Sequence, residues 1–207
     1  MKVNRVMEID TSSFQIGDQI SVGCYTATCQ RVMVKGSIFL MDQYLNKTYK
    51  MNFEDTNEGG YEKSDLRETL KSKEILDIFK DIRNCMIPFS NGDLIRIPFA
   101  SELFGDKLPE WCEPDGHKQW PLMQKRYNRQ ASRCGEYEWS WLQNRDKSYS
   151  TDFCIVDGLG CISNWDASRF LKVRPVFLIM SPYYTVKLNK EKGNNNEVQK
   201  EIQSYKA

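Results

Sequence analysis

The stretch that decides the fold is Val173-Arg174-Pro175-Val176-Phe177-Leu178-Ile179-Met180. Its unbroken apolar end reads as a strand placed centrally in a sheet. Pro175 puts the beginning of that strand at an edge, because proline offers no ladder N–H. Working back along the chain, Phe153-Cys154-Ile155-Val156 and Leu159-Gly160-Cys161-Ile162 flank Asp157-Gly158. Asp-Gly supports the positive φ angles of a two-residue turn, so the segment predicts a tight hairpin. Counting outward from that turn sets Cys154 opposite Cys161.

The N-terminal third has the same character. Gln15–Tyr25 alternates Ile16, Ile20 and Val22 with polar or small residues. Arg31–Val34 and Ser37–Met41 flank Lys35-Gly36, which predicts a second hairpin. Asn52–Gly60 is polar and glycine-rich and reads as a loop. Ser64 suits a helix N-cap with Asp65 after it, and apolar residues follow from Leu66 to Ile82. Their phase slips near Lys71-Ser72, which leaves room for one helix or two short ones. Leu94–Ile97 reads as a short strand, and Ser101 as the cap of one helical turn over Glu102–Phe104. All five tryptophans fall between Trp111 and Trp165, a stretch expected to be loop-rich and held by aromatics.

The chain has 207 residues, with 29 Lys and Arg against 28 Asp and Glu, so its net charge is +1. That balance gives no global support to a polyanion binder. The aromatic content excludes low-complexity disorder. A single histidine, His117, excludes any mechanism within this chain that needs two imidazoles. Seven cysteines form no Cys-x-x-Cys pair and leave one over from any full disulfide set. With no apolar stretch of spanning length and no leader-like start, the expectation is a cytoplasmic protein with mostly free thiols and no membrane partner.

The ordered pieces resemble an uncharacterised family of gut bacteria and their phages. The residues that carry the resemblance are Ile16-Gly17-Asp18, Val22-Gly23-Cys24-Tyr25, Tyr61 to Leu70, Asp93 to Pro98, Trp139-Ser140-Trp141-Leu142, Asp157-Gly158 and Val173-Arg174-Pro175. That family is similar to the C-type-lectin-like fold shared with the sulfatase-modifying enzymes. The resemblance implies an α+β domain with a twisted antiparallel sheet, one or two helices and long loops. The resembling pieces cover roughly residues 15–180; the expected single domain is 1–186, and 187–207 form a polar tail with a possible terminal helix. The family's Arg-Ser-Pro after the Trp-Leu pair is replaced by Gln143-Asn144-Arg145-Asp146, which marks the loop after Leu142 as divergent. The resemblance also implies a ligand-facing surface between the hairpin and the last strand, Ser163–Lys172.

Function is therefore expected to be non-enzymatic recognition, with no cofactor. Asn164, Trp165, Asp166 and Arg169 are the candidate partner-binding residues, with a protein from a host cell or a virion as partner. Trp165 is singled out because a loop aromatic with polar neighbours makes a binding anchor. Trp139 and Trp141 share a strand face and suit the core. An alternative rests on local charge. Pro121–Gly135 holds four basic residues and no acid, beside a Glu102–Asp115 block of five acids and one lysine. Lys125, Arg126, Tyr127, Arg129 and Arg133 would then meet a nucleic acid or another anionic surface, unless the two blocks pair with each other. A third reading is a divergent cysteine- and metal-dependent oxidase of the formylglycine-generating type, with Cys154 and Cys161 as metal-binding pair. Cys112 and His117 offer only half a zinc site.

Overall fold

A computed structural model describes residues 14–133 and 136–181 of the chain. The polar tail and its possible helix lie outside the described residues, as do Met1–Ser13. The architecture is α+β, with antiparallel sheets and a few short helices. Strands β1 (Gln19–Val22), β2 (Tyr25–Met33) and β3 (Gly36–Met41) form consecutive hairpins. The β2–β3 turn has two residues, Val34 and Lys35, and Met33 pairs with Gly36. A Cβ on Gly36 would stand 2.2 Å from the carbonyl oxygen of Ile179, so glycine is required where β3 meets the last strand.

That last strand, β10 (Val176–Met180), inserts between β3 and the short β4 (Ile95–Arg96). The five-stranded order is β1-β2-β3-β10-β4. Phe177 and Ile179 enter one hydrophobic core, whereas Val176 and Leu178 enter a second on the opposite face. Ile38 and Leu40 alternate with Phe39 and Met41 in the same way. This two-sided burial explains why Phe177–Met180 and Ile38–Met41 are apolar without alternation. Pro175 precedes the pairing, and its carbonyl accepts from the Met41 N–H at 3.0 Å.

The phase slip at Lys71-Ser72 is a real break. Helices α1 (Asp65–Leu70) and α2 (Lys73–Ile78) each start on a serine: Ser64 Oγ accepts from Arg67 N at 3.1 Å and Ser72 Oγ from Ile75 N at 3.5 Å. Leu66, Leu70, Ile75 and Phe79 pack into the first core, where Phe79 meets Phe177 edge-on at 5.2 Å. Helix α3 (Ala100–Phe104) begins two residues earlier than expected. Phe99 holds the cap position, its N–H donating to Glu102 Oε2 at 2.9 Å, while the Ser101 hydroxyl is committed to Asp115.

The Trp-rich region is more regular than its sequence implies. Besides a small ribbon of β5 (Ser132–Arg133) and β6 (Glu136–Tyr137), it contributes a three-stranded sheet of β7 (Ser140–Arg145), β8 (Asp152–Val156) and β9 (Ile162–Asp166). There is no loop directly after Leu142: Gln143, Asn144 and Arg145 continue β7. Their side chains tie neighbouring turns. Gln143 Nε2 donates to Ile97 O at 2.6 Å, and Asn144 joins Ala100 N (2.7 Å) to Glu113 O (2.7 Å). Asn57 Nδ2 donates to the carbonyls of Asp146, Tyr149 and Asp152 at 2.8–2.9 Å. Buried amides, as much as aromatics, fix this half of the molecule.

The expected tight turn at Asp157-Gly158 is wider. Val156 pairs with Ile162, leaving five residues between the strands. The Asp157 carboxylate draws the loop in by accepting from the N–H groups of Leu159 and Cys161, both at 2.8 Å. Gly160, at φ +74°, takes the left-handed position instead of Gly158. The register then sets Cys154 opposite Asn164, so the expected Cys154–Cys161 cross-strand pair does not exist.

One ion pair is almost wholly buried. Arg96 donates from Nη1 to Glu102 Oε2 at 2.8 Å and from Nη2 to Glu102 Oε1 at 2.5 Å. Phe89 and Phe99 cover the guanidinium at 4.6 and 5.1 Å. It joins β4 to α3. Glu102→Gln leaves the arginine charge buried without its partner, so urea unfolding is expected to show a loss of about 3–5 kcal/mol. A loss below about 1 kcal/mol would show that water reaches Arg96 and that the pair is not a structural joint.

Candidate functional site

The turn after β9 builds one side of an open surface groove. Ala167 is buried; its N–H donates to Thr151 O at 2.9 Å, and its carbonyl accepts from Met51 N and Asn52 N. With Ala167 pinned below, Ser168, Arg169 and Phe170 rise to the rim. Leu171 and Tyr49 exchange two backbone hydrogen bonds, at 3.0 and 2.8 Å, and set the floor. The result is a groove of about 500 Å3.

Trp139 and Trp165 form the aromatic wall, with ring centroids 4.6 Å apart at 72°. This edge-to-face arrangement is favoured by the ring quadrupoles. Trp139 stands just before β7 and remains 38% exposed, whereas Trp141 is fully buried and donates its Nε1–H to Tyr49 O at 2.7 Å. The two residues expected to share a core face are therefore divided between surface and core. Trp165 is half-buried against the first core and also lines the groove. Phe170 is 64% exposed, with the Lys50 ammonium 5.2 Å from its ring centre.

The rim carries charges of both signs. Arg169 Nε lies 3.3 Å from Asp166 Oδ2. Across the groove, Asp55 Oδ1 accepts from Ser168 N at 3.1 Å, and hydrogen bonding from Ser168 holds that carboxyl below its ordinary range. Of the four residues expected to bind a partner, Trp165, Asp166 and Arg169 line one groove. Asn164 does not. It points to the other face of β9, where its amide donates to Asp146 Oδ2 and serves the structure. Trp139, Lys50, Asp55 and Phe170 complete the groove. Lys50 and Asp55 come from a distant loop that only tertiary pairing brings near. Phe170 sits within Ser163–Lys172 and carried the signal of an apolar residue among polar ones.

The basic segment is less free than its charge implies. Arg126 Nε donates to Leu159 O at 2.7 Å. Arg129 Nε donates to Met123 O at 2.9 Å, and its guanidinium lies 4.9 Å from the Phe104 ring. Lys125 approaches Tyr127, which is 65% exposed, at 5.9 Å. The side chain of Arg133 lies outside the described residues. Among the described residues no ion pair joins the acidic block to the basic one. Glu102 pairs with Arg96 and Glu113 with Arg145 instead.

Cysteine geometry also departs from expectation. The sulfur next to Cys154 belongs to Cys112, 3.2 Å away, and both residues are buried. The hydrogen bond with Cys112, reinforced by burial, pushes the Cys154 thiol far above its ordinary value. Burial raises Cys29 to about 11. The Cys154 and Cys29 thiols are protonated and packed as small apolar groups at neutral pH. Among the described residues no group of three His, Cys, Asp or Glu side chains could hold a metal ion, and no helix is long and apolar enough to cross a membrane. No protein-family model, curated protein or solved structure matches this chain.

His117 is half-buried and stacks on Phe99 at 4.1 Å. Its backbone N–H donates to Asp115 Oδ1 at 2.9 Å, and Asn144 Nδ2 donates to Asp115 Oδ2 at 2.8 Å. Burial opposes the Asp115 charge, but donation from Ser101, Asn144 and His117 outweighs it and lowers the pKa. A lowered folded-state pKa gives stability that is present above the unfolded value of about 3.9 and lost as pH falls through the folded one. Unfolding midpoints are therefore expected to drop below about pH 4 in the native chain, and to drop less in Asp115→Asn. Parallel acid profiles for the two proteins would contradict this role.

Proposed function

We propose that the chain is a non-enzymatic recognition module that binds a protein partner through the groove of Trp139, Trp165 and Phe170. The observation that carries this reading is the joining of an exposed aromatic wall to a rim of Lys50, Arg169, Asp55 and Asp166. Aromatic anchors ringed by polar groups are the usual energetic centre of a protein interface. The rim holds two charges of each sign. That balance suits a mixed protein surface better than a polyanion, which would be met by cations alone. In this reading the long loops over antiparallel sheets follow a C-type-lectin-like plan, and the protein acts in the cytoplasm or on a virion of a phage or mobile element.

The nucleic-acid alternative draws on the 125–133 segment, but Arg126 and Arg129 already spend their Nε donors on backbone carbonyls. The oxidase alternative drew its geometry from a Cys154–Cys161 pair that the β8–β9 register separates.

Affinity capture from the source cell, followed by titration of the captured partner, tests the proposal. Trp165→Ala combined with Arg169→Ala is expected to weaken binding by about thirtyfold or more, as loss of a central aromatic does, while the unfolding midpoint stays near native. Undiminished binding by that variant, or loss only on changing Lys125 and Arg126, would overturn it.

A further inference from the structure

We propose a second binding site, for a small zwitterionic amino acid, in the pocket between β2 and the turns of Pro121–Arg129. The pocket has a volume of about 170 Å3, and Gln30, Asp42, Tyr127, Asn128 and Arg174 are among its walls. It is separate from the aromatic groove and does not depend on the reading given to that groove.

Three observations carry the assignment. Gln30 is the extra residue of a β-bulge: pairing passes from Cys29 with Phe39 to Arg31 with Ile38. Bulges of this kind re-aim a side chain. Gln30 is 1% exposed, its Nε2 donates to Thr28 O at 3.0 Å, and its Oε1 has no hydrogen-bond partner among the described residues. A stranded acceptor at this depth is costly unless a ligand or solvent donor meets it.

Arg174 is the second observation. It is 6% exposed and donates from Nε to Met41 O at 2.8 Å, and from Nη1 to the carbonyls of Asn128 and Arg129 at 3.0 and 3.2 Å. Among the described residues Arg174 makes no ion pair within 4.0 Å, and its hydrogen bonds leave from Nε and Nη1. Asp42 on the same pocket acts on Arg174 electrostatically but makes no ion pair with it, and a carboxylate is the group that fits a guanidinium edge.

The third is Asp42 on the same pocket. Its two oxygens accept from Thr28 Oγ1 at 2.6 Å, Thr26 Oγ1 at 2.7 Å and Gln19 Nε2 at 3.1 Å, which fixes its orientation. A simple anion would meet Arg174 but face this carboxylate, and a simple cation would face Arg174. A carboxylate for Arg174 with an ammonium for Gln30 Oε1 and Asp42 satisfies all three groups at once. Taking about 30 Å3 per water-sized group, the pocket holds about five or six non-hydrogen atoms, the size of glycine or alanine.

The test is a titration of the full chain with glycine and then L-alanine. It is followed by 1H–15N NMR at the Gln30 side-chain amide and the Arg174 Nε–H. Saturable shifts at both signals are expected, with acetate and methylammonium each binding about tenfold more weakly or worse. Gln30→Leu removes the stranded acceptor and should fold normally; it is expected to weaken glycine about tenfold. Tyr127→Ala, at a 65%-exposed position, is the second variant and should also weaken it. Shifts that rise linearly without saturation, glycine affinity unchanged in both variants, or acetate as tight as glycine would each overturn the assignment.

Discussion

The structure depends on one strand that belongs to both cores. β10 arrives late in the chain and inserts between β3 and β4, so its ladder joins residues far apart in sequence. Phe177 stacks on Phe39 at 5.7 Å and meets Phe79 edge-on. On the other face Val176 and Leu178 pack with Ala100, Leu103 and Trp120. Each such side chain contributes about 1.5–3 kcal/mol on burial. Neither core can close until β10 is in place, which couples the helical face to the Trp-rich half.

Around that strand, polar groups do the joining that regular structure does not. The Arg96–Glu102 pair fastens β4 to α3. Asn57, Gln143 and Asn144 fasten loops to β7 and β8 by satisfying backbone carbonyls and N–H groups in the interior. Such contacts have direction, so they fix loop positions more tightly than apolar contact does. The groove follows from this. Ala167, held by Thr151, Met51 and Asn52, forces Ser168–Phe170 outward, and Trp139 closes on Trp165 from the start of β7.

Much of this frame was legible in the sequence. The runs in β3 and β10, the Ser64 cap of α1 and the polar loop before α1 carry local signals that the structure keeps. What was not legible depended on register or on distant residues. Asp157 looked like half of a two-residue turn, but its carboxylate gathers two N–H groups and lengthens the loop. That shift moves Cys154 from Cys161 to Asn164. Gln143 to Asp146 looked like a divergent loop because they replace the family's Arg-Ser-Pro; Gln143, Asn144 and Asp146 are buried against backbone partners, and the more exposed Arg145 pairs with Glu113. Six residues of the groove, Trp165, Asp166, Ser168, Arg169, Phe170 and Leu171, lie within the predicted Ser163–Lys172 surface. Lys50 and Asp55 had no signal, since only the Tyr49–Leu171 pairing brings their loop to the rim.

Hydrogen–deuterium exchange on the chain with its captured protein partner tests the central claim most directly. The account predicts slowed exchange confined to Trp165–Leu171, the Lys50–Asp55 loop and the backbone around Trp139, with Arg126–Arg129 unchanged. Protection centred on Arg126–Arg129, or spread evenly over the surface with none at Trp165–Leu171, would contradict it.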